Sequence, residues 1–124
     1  MHNPGRIKTF TANGAIAAKR IVSIAANNIV SQAASASDAN IGATELSCAD
    51  GAPIDVVMEG IVEVEAGGSI TAGTYVTADS AGKAVTAEVT DPVFGKAMDS
   101  VSAGEYAPVR ISFGRAGTAA ASGG

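Results

Sequence analysis

Hydrophobic and polar residues alternate along most of the chain with a period of two, which predicts β-strands rather than helices. The clearest stretch is residues 54–65, where the even positions are apolar or glycine and the odd positions include four acids. One face of this strand is therefore expected to be buried, and the other to be acidic. A strand of this length would extend about 40 Å, so we expect a bend or bulge at Gly60.

The last candidate strand, residues 106–113, alternates in the same way and contains Pro108. Because proline has no amide proton, this strand should lie at an edge or leave Pro108 free of its neighbour. Turn-forming residues separate the shorter candidates, which cover residues 7–11, 20–24, 29–32, 41–47, 74–78, 83–86 and 93–99. Many short strands at this spacing predict an all-β domain, a small antiparallel β-barrel or sandwich with short loops.

Residues 31–39 are ambiguous, because their alanines favour a helix while their serines and Asp38 compete for the backbone. We expect a loop there, with at most one short helical turn. A chain of 124 residues forms a single domain. We place this domain at residues 7–113, between a flexible amino-terminal arm of residues 1–6 and a disordered Gly/Ala-rich tail of residues 114–124.

Charge is unevenly distributed along the chain. The net charge is −4, yet the first 37 residues carry four cations and no acid. These cations are Arg6, Lys8, Lys19 and Arg20. They form either a solvated edge that compensates the acidic remainder or a patch that docks on an acidic protein surface.

The overall composition excludes several classes of partner. A pI near 4.7 argues against nucleic-acid binding, because cations must neutralise phosphates. The chain has no apolar run near the ~18 residues that a membrane span needs. After Met1 there is no secretory or lipidation signal, so we expect the protein to be made and kept in a cytoplasm or in a particle assembled there.

Few residues offer catalytic chemistry. Glu63 and Glu65 have the spacing of a carboxylate pair, but a polar strand face offers no cleft in which one acid keeps its proton. Cys48 has only His2 as a possible base, and one cysteine with one histidine cannot make a zinc site. Lys83 follows a turn glycine but lacks the flanking residues of a carrier-domain lysine. We expect no enzyme, no catalytic residue, no metal and no cofactor, with Cys48 as a small buried hydrophobe.

Several short motifs follow one another in a characteristic order. They are Gly60-Ile61-Val62-Glu63-Val64, Ile70-Thr71-Ala72-Gly73, Ser80-Ala81-Gly82-Lys83-Ala84-Val85, Gly95-Lys96-Ala97 and Val109-Arg110-Ile111. In this order they resemble the small capsid cement, or head decoration, proteins of tailed bacteriophages, over residues 7–113. That family has no catalytic residue to carry over.

The resemblance implies a compact, barrel-like domain, often a homotrimer, that stabilises the expanded phage head by bridging major capsid subunits. The implied partners are the major capsid protein and the chain itself, and the implied location is the outer surface of the virion after synthesis in the host cytoplasm. We expect Arg6, Lys8, Lys19 and Arg20 to contact the shell, while the acidic face meets solvent or a sister subunit. The alternative is a free-standing or tail-associated module that binds a receptor or glycan, which the 4% aromatic content disfavours.

Overall fold

A computed structural model describes residues 3–115, with side chains for residues 5–113. Within this range the chain forms nine β-strands and no helix. The strands are β1 (Asn3–Ala12), β2 (Ile21–Ala26), β3 (Ile29–Gln32), β4 (Asn40–Thr44), β5 (Pro53–Glu65), β6 (Tyr75–Ala78), β7 (Ala84–Thr86), β8 (Pro92–Ala97) and β9 (Tyr106–Arg115). The all-β class that the alternation predicts is confirmed, and the ambiguous stretch between β3 and β4 is a loop of turns.

All nine strands belong to one sheet, in the order β1-β3-β2-β4-β5-β9-β8-β6-β7. A further pairing of β1 with β5 closes the first five strands into a ring. The other four strands continue the sheet from β5, and a bridge between Ala66 and Ala84 brings β7 back to the end of β5. Among the strand pairs of residues 3–115, only the short contact of β1 with β3 is parallel. The molecule is therefore a small barrel with an attached antiparallel sheet.

Strand β5 is shared by the ring and the attached sheet. Its residues 53–61 pair with β1, and its residues 61–65 pair with β9. The change of partner coincides with Gly60, whose φ of 92° lies in the left-handed region that favours glycine. The expected irregularity at Gly60 is confirmed, and it lets one strand serve both parts of the fold.

Two hydrophobic cores lie on opposite sides of β5. Val56 faces the core inside the ring, whereas its neighbour Val57 faces the main core between the ring and the attached sheet. After Gly60 the even position Val62 faces the main core. The expectation that all even positions share one buried face is therefore wrong, because the irregularity at Gly60 reverses the alternation.

Strand β1 begins earlier than the sequence pattern predicts. Residues 3–6, which we expected in a flexible arm, belong to β1, where Asn3 pairs with Ile61 and Arg6 with Glu59. Hydrogen bonding along this ladder explains why the strand continues past its last buried residues. At the other end β9 runs to Arg115, so residues 114–115 of the expected tail are also strand. The remainder of the arm and the tail, residues 1–2 and 116–124, lies outside the described residues.

Strand β9 is an internal strand of the sheet and not an edge. It accommodates Pro108 in the other way expected from the sequence, which is to leave this residue unpaired with one neighbouring strand. Its last pair with β8 is Ala97 with Val109, so Pro108 lies just beyond that ladder. Close strand approach also depends on glycine: a Cβ added to Gly95 would lie 2.3 Å from the carbonyl oxygen of Arg110. Only glycine allows β8 and β9 to approach this closely.

Candidate docking surfaces

Lys19 is one of the four cations assigned to a docking patch, and the structure holds it against β5. Its side chain is 23% exposed, and its Nζ lies 3.4 Å from the Glu63 carboxylate. The same ammonium group sits 5.6 Å from the ring centroid of Tyr106, within cation–π distance. The charge of Lys19 is therefore engaged within the chain.

Arg20 is more enclosed, with a side chain only 15% exposed. Its guanidinium lies 3.2 Å from Glu65 and donates hydrogen bonds to the carbonyl oxygens of Ala18 at 2.9 Å and Ala81 at 3.2 Å. Lys83 also approaches Glu65, at 3.3 Å. Arg20 thus ties together the turn before β2, the end of β5 and the β6–β7 turn, and it acts as an internal brace.

Arg6 and Lys8 lie on β1 and remain open to solvent. Arg6 is 65% exposed, and its ion pair with Glu59 spans 3.9 Å. A pair this loose and exposed contributes about 0–1 kcal/mol. Lys8 donates a hydrogen bond to Asn28 at 3.0 Å and lies 5.0 Å from the centroid of the Phe10 ring. These two cations are free to meet another surface.

The four cations therefore do not gather into one patch but follow the length of β5. Arg6 meets Glu59 in the first half of the strand, and Lys19 and Arg20 meet its last two acids. The uneven distribution of charge along the sequence thus corresponds to a contact within the fold, since the basic amino-terminal segment packs along the acidic strand β5. Much of the acidic face expected to meet solvent or a sister subunit is compensated within the chain.

The other groups considered for chemistry also have structural roles. Cys48 is partly buried against the ring core, and its backbone bonds to that of Ile16 at 2.9 and 3.0 Å. Lys83 is held by Glu65. Across residues 3–115, no three histidine, cysteine, aspartate or glutamate side chains are grouped as a metal site would require. The same part of the chain contains no helix that could cross a membrane.

A surface that the sequence did not reveal lies on strands β6, β8 and β9. Tyr75, Lys96 and Arg110 are register partners in a row across these strands. With Ile111 and Ser112 they line a pocket of about 210 Å³. The Lys96 ammonium lies 5.1 Å from the centroid of the Tyr75 ring. The motifs that contain Lys96 and Arg110 are visible in the sequence, but their juxtaposition depends on strand register.

An apolar cleft of about 440 Å³ adjoins this pocket and shares Ile111 and Ser112 with it. Its lining combines the apolar side chains of Met58 and Phe113 with the ion pair of Arg6 and Glu59. Phe113 is 51% exposed, although its ring packs edge-on against the buried ring of Phe94 at 5.6 Å. Cations and aromatic rings thus form a continuous surface, a composition that is common in protein interfaces.

Comparisons with known proteins agree with this architecture. The chain is similar in fold to a crystal structure of the head fiber N base of bacteriophage phi29, with a TM-score of 0.67 and 23% sequence identity. The alignment covers 86% of this chain and 93% of that one, and at this identity it shows a shared fold. No curated protein sequence matches the chain. A family model described as phage cement protein matches residues 2–124. The chain therefore belongs to the phage cement protein family, with the capsid-associated structural role that this membership carries.

Proposed function

We propose that this protein binds the outside of a phage capsid and stabilises the expanded shell by bridging neighbouring major capsid subunits. The observation that carries the proposal is the family match over nearly the whole chain, on a domain built entirely of strands. The major capsid protein is the partner, and the protein acts on the virion surface as a homotrimer after synthesis in the host cytoplasm.

The surface chemistry supports docking in many copies. Only 16% of the residues are charged, and alanine and glycine are abundant, so fixing the surface in a lattice costs little side-chain entropy. Each copy then needs to bury only a modest area against the shell, because the stabilisation of the head is the sum over many symmetric copies.

Exposure distinguishes among the four cations that the sequence assigned to docking. Arg6 and Lys8 are exposed and weakly held, so they serve as docking residues. Lys19 and Arg20 are paired with acids of β5, so they support the fold. The Arg6→Glu/Lys8→Glu variant should bind heads more weakly than the wild type, and the difference should shrink at high salt, which screens exposed charges. Equal occupancy of both proteins on purified heads at low salt would exclude these two residues from docking.

Reconstitution on purified heads tests the function directly. Expanded heads that lack the protein are mixed with increasing amounts of it, and bound copies are counted against the major capsid protein by quantitative mass spectrometry. We expect saturation at a ratio set by icosahedral symmetry and DNA release at a higher temperature. Failure to bind, or binding of only a few copies per particle, would contradict the proposal and favour a tail-associated receptor- or glycan-binding module.

A further inference from the structure

We propose that the pocket lined by Tyr75, Lys96, Arg110 and Ser112 binds a carboxylate, supplied by an acidic side chain of the major capsid protein. The inference rests on the proposed function, because it names the chemistry by which the protein would hold the shell. The pocket itself contains neither Arg6 nor Lys8, and Arg6 lines only the adjoining cleft.

The pocket carries uncompensated positive charge. Lys96 and Arg110 face each other as register partners on neighbouring strands, where like charges repel. Within residues 3–115 neither side chain has an acid in ion-pair contact, whereas four other cations of the chain do. These two charges stand side by side without a counter-ion among the described residues, although the chain has twelve acids and eight cations. An anion bound between them would remove the repulsion.

The pocket also has an unpaired hydroxyl in its wall. The Tyr75 hydroxyl is buried and has no hydrogen-bond partner, although buried polar groups usually have one. Tyr75 lines the pocket, and its ring lies beneath the Lys96 ammonium. A small shift of the Tyr75 ring on ligand binding would bring this hydroxyl to a ligand oxygen, the acceptor that the described residues do not supply. The hydroxyl of Ser112, which also lines the pocket, offers a further donor.

The size and donor geometry favour a carboxylate. A guanidinium presents a planar fork of N–H donors that matches the two oxygens of a carboxylate. A pocket of about 210 Å³ is smaller than a usual cofactor site, and it suits the end of one side chain.

The neighbouring cleft indicates that the carboxylate belongs to a protein. The pocket adjoins the cleft, with which it shares Ile111 and Ser112, and the half-exposed Phe113 lines that cleft. A free anion gains nothing from an adjacent apolar surface, whereas a protein surface can place an acidic and an apolar side chain side by side. Central arginine and aromatic residues are typical of the positions that dominate binding energy in such interfaces.

The test compares head binding by Lys96→Gln/Arg110→Gln with binding by the wild type and by Lys83→Gln, a control that removes a cation from another site. We expect the double variant to lose at least about tenfold in affinity, as when an interfacial charge pair is broken. Its melting temperature should stay the same or rise, because the repulsion is gone. Equal binding by the double variant and the wild type would overturn the inference and leave the proposed function intact. If the wild type itself fails to bind heads, the proposed function fails.

A zero-length carbodiimide crosslink identifies the occupant, since this reagent joins a lysine amine to a carboxylate in direct contact. On decorated heads we expect Lys96 to be joined to an aspartate or glutamate of the major capsid protein, as read by mass spectrometry. A crosslink to a second copy of this chain, or none at Lys96, would contradict the inference. Titration of the isolated protein with phosphate and acetate, followed by NMR, should show only millimolar binding at Arg110. Micromolar phosphate binding there would assign the pocket to a free anion instead.

Discussion

Replacing Arg20 by methionine separates a bracing role from a docking role. The substitution keeps most of the aliphatic volume but removes the ion pair with Glu65 and the hydrogen bonds to two carbonyl oxygens. Hydrogen bonds to charged groups contribute about 1.5–3 kcal/mol each. The Ala18 carbonyl oxygen loses its bond from Arg20, whereas the Ala81 carbonyl oxygen keeps one from the Gln32 amide at 2.9 Å. Because Lys83 still compensates Glu65, we expect a net loss of about 3 kcal/mol in the free energy of unfolding.

This loss converts into a large shift of the melting temperature. A domain of 124 residues gains roughly 0.26 kcal/mol/K of unfolding entropy, so about 3 kcal/mol lowers Tm by about 12 °C. The matched control is Arg6→Met, which removes an exposed pair worth at most about 1 kcal/mol and should lower Tm by no more than about 4 °C. Circular dichroism or calorimetry on the purified chain measures both variants.

Head binding completes the experiment on Arg20. At a temperature where Arg20→Met is fully folded, we expect it to bind heads as the wild type does, because its guanidinium faces the protein interior. A variant that melts within about 2 °C of the wild type would refute the bracing role. If that stable variant also lost head binding, Arg20 would be a docking residue after all, as the sequence first suggested.

Two further substitutions test the packing. Gly95→Ala would place a Cβ 2.3 Å from the Arg110 carbonyl oxygen, so β8 and β9 must separate, at a cost of about 1–3 kcal/mol in the free energy of unfolding. The control is Gly68→Ala, whose added Cβ meets nothing within 4 Å and should leave Tm nearly unchanged. Equal melting temperatures of the two variants would show that the close approach of β8 and β9 does not require glycine. Thr44→Val removes a fully buried hydroxyl that donates to the Ala17 carbonyl oxygen at 3.0 Å. Urea unfolding should show a loss of about 1–3 kcal/mol in the free energy of unfolding. Unchanged stability would contradict a stabilising role for this hydrogen bond.

The alternation of apolar and polar residues was sufficient to predict strands, because successive side chains of a strand point to opposite faces of the sheet. It was also sufficient to place the irregularity at Gly60, since a strand of that length seldom stays regular. It could not show that Val56 and Val57 face different cores. That outcome depends on both faces of β5 being covered, which is a property of the tertiary fold and not of the local pattern.

The docking prediction was limited by long-range pairing. The sequence shows four cations near the start and acids further on, but not that Arg20 reaches Glu65 within the same molecule. The Lys96–Arg110 pair was hidden for the same reason, because two residues far apart in sequence become neighbours only through strand register. Charge counts along a chain therefore reveal an asymmetry, and only the pairing of strands shows which charges remain available.

The sharing of β5 has a consequence for how the protein folds and how long it lasts. Ile61 pairs with Asn3 on β1 and with Arg110 on β9, so the first and last strands are joined through one residue of the middle strand. Both ladders close long loops, so we expect slow folding that finishes only after the last strand is available. Unfolding must in turn break ladders that span most of the chain, which favours an all-or-none transition with a high barrier. Persistence on a particle would then be governed by a slow rate of unfolding as much as by equilibrium stability.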